Sequence, residues 1–193
     1  MPAMLAPKTA LSFGAGWLLY ANIGTSLPAH TVSGSVFTDA WPVGWNLLGV
    51  TREGHDFSVE IDSEEVEVAE YLEPIANVTT GRTVGMEFEM LQIHGTNMRR
   101  VFNGGTLTTS GSGATLRTTF TLPQPGAEIR CMIGWESTDS TERIVAQQAY
   151  QIGSVAISRR KGADNAGLPV NFRFEPDASG NPYYHEFAGA IRG

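Results

Sequence analysis

Four histidines, one cysteine and twenty carboxylates are the groups of this 193-residue chain that could do proton, metal or nucleophilic chemistry. His30, His55, His94 and His185 are far apart, and none stands at a metal-ligand spacing from Cys131 or from another histidine. Cys131 sits in the apolar run Ile129-Arg130-Cys131-Met132-Ile133, which reads as a buried strand thiol. A nucleophilic thiol needs a histidine partner, and no local motif supplies one. Asp56, Glu60, Asp62, Glu64 and Glu65 are dense enough to attract a divalent cation, but they lack the glycine turn of a calcium loop and read as a solvated acidic face. Glycosidase chemistry would need one carboxyl in an apolar pocket, which abundance alone does not provide. Gly111-Ser112-Gly113 has neither a third glycine nor a following helix, so it reads as a hairpin tip and not a phosphate loop. The sequence assigns no catalytic residue, no cofactor-binding residue, no metal ligand and no cofactor.

The carboxylates are informative as a pattern instead. Residues 53–81 hold nine acidic residues and no Lys or Arg, and several alternate with apolar side chains, as in Phe57-Ser58-Val59-Glu60-Ile61-Asp62. A strand with that alternation shows carboxylates on one face. Side-by-side carboxylates repel. Such a wall suits a surface that something anionic must pass without sticking. The net charge of −7 is uneven: residues 1–90 carry 12 acidic and 3 basic residues, residues 91–193 carry 8 and 10. An acidic chain is a poor general binder of nucleic acid, because that affinity comes mainly from neutralising phosphates. The one basic cluster is Arg159-Arg160-Lys161, either a solvated strand end or a salt-bridge partner for a neighbouring copy. A single cysteine excludes an internal disulfide and fits folding in a reducing cytoplasm. The run Ala10–Tyr20 is too short to span a membrane, and no membrane role is expected.

The elements that must position these groups are short strands. With 22 Gly, 10 Pro and little charge, the chain reads as one mainly β domain over 1–193, a sandwich or barrel with one flanking helix. Residues 1–16 read as an arm, Trp17–Gly24 as a strand, and 25–42 as a long loop whose end is anchored by Trp41 and Trp45. Leu47–Val50 is a short strand and Arg52-Glu53-Gly54 a turn. His55–Asp62 and Glu65–Tyr71 read as two strands, Thr79-Thr80-Gly81 as a turn. Arg82–Leu91 is the clearest alternation, with Val84, Met86, Phe88 and Met90 on one face and Gly85, Glu87 and Glu89 on the other. Gln92–Phe102 is the helix, stopped by Asn103-Gly104-Gly105, with Arg99 and Arg100 in its last turns. Strands follow at Thr115–Leu122, Ala127–Trp135, Glu142–Tyr150, Ile152–Arg159 and Val170–Glu175, and 183–193 is a mixed tail.

The order of these blocks resembles a known family. Leu19-Tyr20-Ala21, Gly24-Thr25-Ser26-Leu27-Pro28, Ala40-Trp41 and Gly44-Trp45-Asn46-Leu47-Leu48-Gly49-Val50-Thr51-Arg52-Glu53-Gly54 open like the major tail proteins of long-tailed actinobacterial phages. Val66-Glu67-Val68-Ala69-Glu70, Pro74-Ile75 and Arg82–Met90 are similar to that family's acidic strand pair leading into its helix, and Arg130–Trp135, Gln147–Gly153 and Phe172–Pro176 continue the likeness. The resemblance implies a structural virion protein and not an enzyme. It implies six-membered rings stacked into a tail tube, with inner strands closed into one barrel and loops and arms locking ring to ring. The implied partners are further copies of the chain, a tape-measure protein inside the lumen, a tail terminator and a distal tail protein at the ends, and DNA passing without specific binding. The implied place is the virion tail, after synthesis in the host cytoplasm. On this reading Glu60, Asp62, Glu65, Glu67, Glu87 and Glu89 are lumen-lining candidates, and Thr31, Val32, Ser33, Trp41, Trp45, Arg159, Arg160 and Lys161 are inter-subunit or stacking candidates. The alternatives are a tail terminator, a capsid decoration protein, or a β-sandwich carbohydrate-binding module using Trp41, Trp45 and Trp135 as stacking platforms.

Overall fold

The computed structural model describes residues 16–66, 75–157, 159 and 166–189. Its elements in chain order are β1 (Gly16–Asn22), β2 (Val32–Ser33), β3 (Val36–Phe37), β4 (Asn46–Leu47), β5 (Thr51–Val66), β6 (Ala76–Met90), α1 (Gly95–Val101), β7 (Thr106–Ser110), β8 (Arg117–Thr121), β9 (Cys131–Ser137), β10 (Glu142–Gln151), β11 (Leu168–Phe174) and β12 (Tyr184–Phe187). One sheet runs in the order β4-β1-β9-β10-β11-β6-β5, with β12 on β10, and each pairing is antiparallel. β2–β3 and β7–β8 are small separate hairpins.

The sheet is folded over on itself. β5 lies four places from β9, which in a flat sheet would separate them by roughly 19 Å at the usual interstrand spacing. Yet the His55 and Trp135 rings are 4.9 Å apart, and Phe57 meets Tyr183 at 4.9 Å. The enclosed face holds the main core: Leu18 and Tyr20 of β1, Val84, Met86, Phe88 and Met90 of β6, Cys131, Ile133 and Trp135 of β9, Ile144 and Ala146 of β10, and Val170, Phe172 and Phe174 of β11. The alternation at residues 84–90 thus does what its pattern predicts. A second, smaller core lies on the opposite face, where Leu19, Ala21, Met132 and Val145 are roofed by Trp41 and Trp45.

Several boundaries differ from expectation, each for a local reason. Arg52-Glu53-Gly54 is no turn but a bulge inside β5, opposite Glu89. His55–Asp62 does not end at Ser63: one sixteen-residue strand continues to Val66, while Glu67–Tyr71 lies outside the described residues. Thr79-Thr80-Gly81 is likewise strand, because β-branched threonines suit an extended ladder and one extra residue, Thr80, is taken up as a bulge. The helix spans Gly95–Val101 only; it starts after His94, whose side chain makes no cap, and Arg99 and Arg100 close it. The strand expected from Ala127 begins at Cys131, after a Pro125-Gly126 turn. Ile152–Arg159 forms no strand over its described residues: Ile152 donates to Asn171 O, and Gly153 at φ 76° then turns the chain away. β7 and β12 arise where no strand was expected, the first from Thr106-Leu107-Thr108-Thr109-Ser110 paired to β8, the second within the mixed tail.

Candidate functional site

β5 and β6 pair over nearly their whole length and outrun the rest of the sheet, since β11 covers β6 only at residues 84–90. Beyond Phe57 every residue of β5 is exposed, Val59, Ile61 and Val66 included, whereas β6 is buried at Val84 and Gly85 and is exposed without interruption only over residues 76–80, Val78 included. The step in register at Asp62/Ser63 comes from Thr80 of β6, so β5 itself alternates without a break from His55 to Val66. Asp56, Glu60, Asp62 and Glu64 therefore share one face, and Glu65 joins Phe57, Val59 and Ile61 on the other. Glu87 and Glu89 lie with the first set, since Glu87 is directly opposite Asp56.

Among the described residues, polar partners meet this face at its base and, through Arg173 at Thr83, as far as the level of Glu60. Arg52 Nε pairs with Glu89 Oε2 at 2.8 Å, Asn171 Nδ2 donates to Glu87, and Arg173 donates to Thr83 Oγ1 at 3.2 Å. Towards the tip Glu60, Asp62 and Glu64 stand two residues apart. Each such pair repels by about 0.6 kcal/mol in water, a cost that a folded domain tolerates and that a neutral face would avoid. A groove beside the base is lined by Arg52, Glu53, Asp56, Glu87, Glu89 and Asn171.

Of the lumen candidates, Glu60, Asp62, Glu65 and Glu87 are exposed and Glu89 is half-buried, and Glu67 lies outside the described residues. Glu65 is separated by its face from the other four. Asp56 and Glu64 belong to this face too; the sequence reading placed them in a solvated acidic face but not among the lumen candidates, although plain period-two counting from Glu60 and Asp62 finds Glu64.

The other candidate surface is the stretch 25–42, a strap laid across β9 and β10. Thr31, Val32 and Ser33 are exposed at its crest in the β2–β3 hairpin. Trp41 is half-buried and Trp45 buried, packed edge to face with ring centroids 4.7 Å apart, and Trp45 Nε1 donates to Ser26 O at 2.9 Å. These two rings anchor the strap. Trp135, too, is in the core and 3% exposed, so of the three tryptophans that a carbohydrate-binding module would use as stacking platforms only Trp41 keeps part of its ring exposed. Arg159 is exposed, and Arg160 and Lys161 lie outside the described residues.

Beneath the strap is a charged cluster that sequence reading missed. Arg143 is 1% exposed; it donates through Nε to Glu136 Oε2 at 2.9 Å, through Nη1 to Asp39 Oδ1 at 3.0 Å and through Nη2 to Asp39 O at 2.8 Å. Its guanidinium lies over Phe37 and Trp41, and Trp41 Nε1 donates to Glu136. Burial alone would raise the Asp39 carboxyl, but the Arg143 charge and hydrogen bond outweigh it and hold the group below its usual range. The available signal was a Glu136…Arg143 pair inside two strands of otherwise apolar pattern.

The chemistry that remains is inert. Burial pushes the Cys131 thiol up to about 12, and its Sγ lies against Ala149 O. His55, half-buried against Trp135, is lowered by burial, with Asp56 and Glu142 opposing. Glu142 instead contacts His185 Nε2 at 2.6 Å. Among the described residues no three metal-ligating side chains converge, and no helix is long and apolar enough to cross a membrane.

A long paired hairpin with one carboxylate face and a strapped antiparallel sheet is architecture for assembly. The family model described as phage tail tube protein matches residues 5–185. No curated protein matches the chain. With nearly the whole chain matched, it belongs to the phage tail tube proteins, structural components of the virion tail and not enzymes.

Proposed function

We propose that copies of this chain close into six-membered rings, that the rings stack into a hollow tube, and that the face bearing Asp56, Glu60, Asp62, Glu64, Glu87 and Glu89 lines its bore. The observation that carries this reading is the β5–β6 hairpin: a sixteen-residue strand at the end of the sheet, with carboxylates gathered on one side. An open strand of that length is a hazard in a lone subunit, and ring closure by neighbouring copies removes it. A negative wall repels phosphate, and the cations on it, Arg52 and Arg173, are outnumbered by carboxylates, so DNA slides past without binding. A tape-measure protein fills the bore during assembly, and a terminator and a distal tail protein cap the ends. Arg159, Arg160 and Lys161 face carboxylates of an adjacent copy. The host class suggested by the sequence resemblance stays part of this proposal.

Electron microscopy of the purified protein tests it. The expected result is hollow tubes with six-fold rings and density for β5 and β6 at the inner radius. Tubes whose acidic face points outward, or particles that never polymerise, would overturn it.

A further inference from the structure

We propose that the strap is bolted shut within each subunit before a neighbour arrives, and docks as a preformed tooth. Its sequence argues the other way: small and polar residues, two prolines, and Asp39 and His30 as its only ionisable side chains suggest a segment that orders on assembly. The structure supplies anchors along its length. Trp45 Nε1 holds Ser26 O, and the His30 amide donates to Asp39 Oδ2 at 3.2 Å. The Phe37 amide donates to Ser140 O at 2.7 Å and the Thr38 amide to Thr31 O at 2.9 Å. Arg143 takes both a side-chain and a main-chain oxygen of Asp39 while Phe37 and Trp41 cover it. The longest interval between bonds to the rest of the subunit, Ser26 to Phe37, is closed on itself by β2–β3 and by the His30–Asp39 and Thr38–Thr31 bonds within the strap. Dividing the strap this way removes most of the loop entropy that would favour the open form, because each remaining segment is short. Lifting it would also expose Phe37, Trp41 and Trp45 together, which is far more apolar surface than the crest offers to solvent. Arg143 is thus the bolt, Asp39 the catch on the strap, and Glu136 the fixed plate on β9.

Hydrogen exchange on the full chain, at a concentration where light scattering detects no polymer, decides this. In the wild type the Phe37 and Thr38 amides are expected to exchange roughly a hundredfold or more slower than an unstructured peptide. Asp39→Asn is expected to lose at least about tenfold of that protection while β9 and β10 amides keep theirs. Trp41→Phe keeps an aromatic ring but removes the donor to Glu136 together with part of the indole packing on Trp45 and Arg143, and is likewise expected to lose protection at Phe37 and Thr38; it stands in should Asp39→Asn fail to fold. Peptide-like exchange of Phe37 and Thr38 in the wild-type subunit overturns the proposal, as does protection unchanged in both variants. No tube is needed for this readout, so its failure is distinct from failure of the ring reading.

Discussion

Asn103 shows how one side chain replaces a stretch of sheet. Its amide donates to Gln151 O and accepts from Gln151 N, both at 2.8 Å, and so ties the end of α1 to the end of β10. It sits at φ 54°, a left-handed backbone that asparagine tolerates and alanine does not. Asn103→Ala is expected to cost about 2–4 kcal/mol, from two lost buried hydrogen bonds plus backbone strain. Asn103→Gly loses the same bonds without the strain and should be the more stable of the two by about 1 kcal/mol in urea denaturation. His55 gives a pH dependence. Burial lowers its pKa against the pull of Asp56 and Glu142, so below the ordinary value near 6.5 the unfolded chain takes up a proton that folded His55 resists. Stability from this group is full above that pH and falls as pH drops from there towards the folded value. Melting temperature measured from pH 8 to pH 5 should decline less steeply in His55→Gln than in the wild type.

At the scale of elements, Gly134 sets how closely the strap can lie on β9. A Cβ there would fall 2.6 Å from Trp41 Cη2 and 2.9 Å from Trp45 Cζ3. Gly134→Ala is expected to push both rings outward, reduce near-ultraviolet tryptophan dichroism and cost about 1–3 kcal/mol in urea unfolding, as overpacking does. Nothing in the sequence marked that glycine, because the contact joins residues about ninety apart. What the sequence did reveal was periodicity: Val84, Met86, Phe88 and Met90 are buried as the alternation requires, and Arg99 and Arg100 end the helix. It misread the acidic region as two strands with turns at Arg52-Glu53-Gly54 and Thr79-Thr80-Gly81, because bulges use the same glycines and polar residues as turns. That misreading placed Glu65 with Glu60 and Asp62; once β5 is continuous, alternation puts it on the opposite side. The Asp39–Arg143–Glu136 cluster was hidden for a similar reason, since its members come from a strap and two strands and meet only in space.

For the whole molecule, charge placement matters more than net charge. Among the described residues the acidic side chains concentrate at the hairpin, where Arg52 pairs with Glu89 at the base, Arg173 reaches Thr83 opposite Glu60, and Arg82 stands opposite Ile61. Reversing Glu60, Asp62 and Glu64 to Lys together changes exposed side chains and should move subunit stability by less than about 0.5 kcal/mol per site. The same triple variant, assembled, is expected to retain DNA at low salt and release it as salt rises, whereas wild-type tubes retain none. Sedimentation of labelled DNA with tubes checks this, and equal retention by both would remove the hairpin from the bore. A different consequence comes from Cys131, the chain's one cysteine, sealed in the core with its thiol held protonated. Maleimides should pass it by. Any new cysteine placed at position 64 would then be the only addressable handle on each protomer, and an assembled filament could be decorated with dyes or metal at one chosen radius without background labelling.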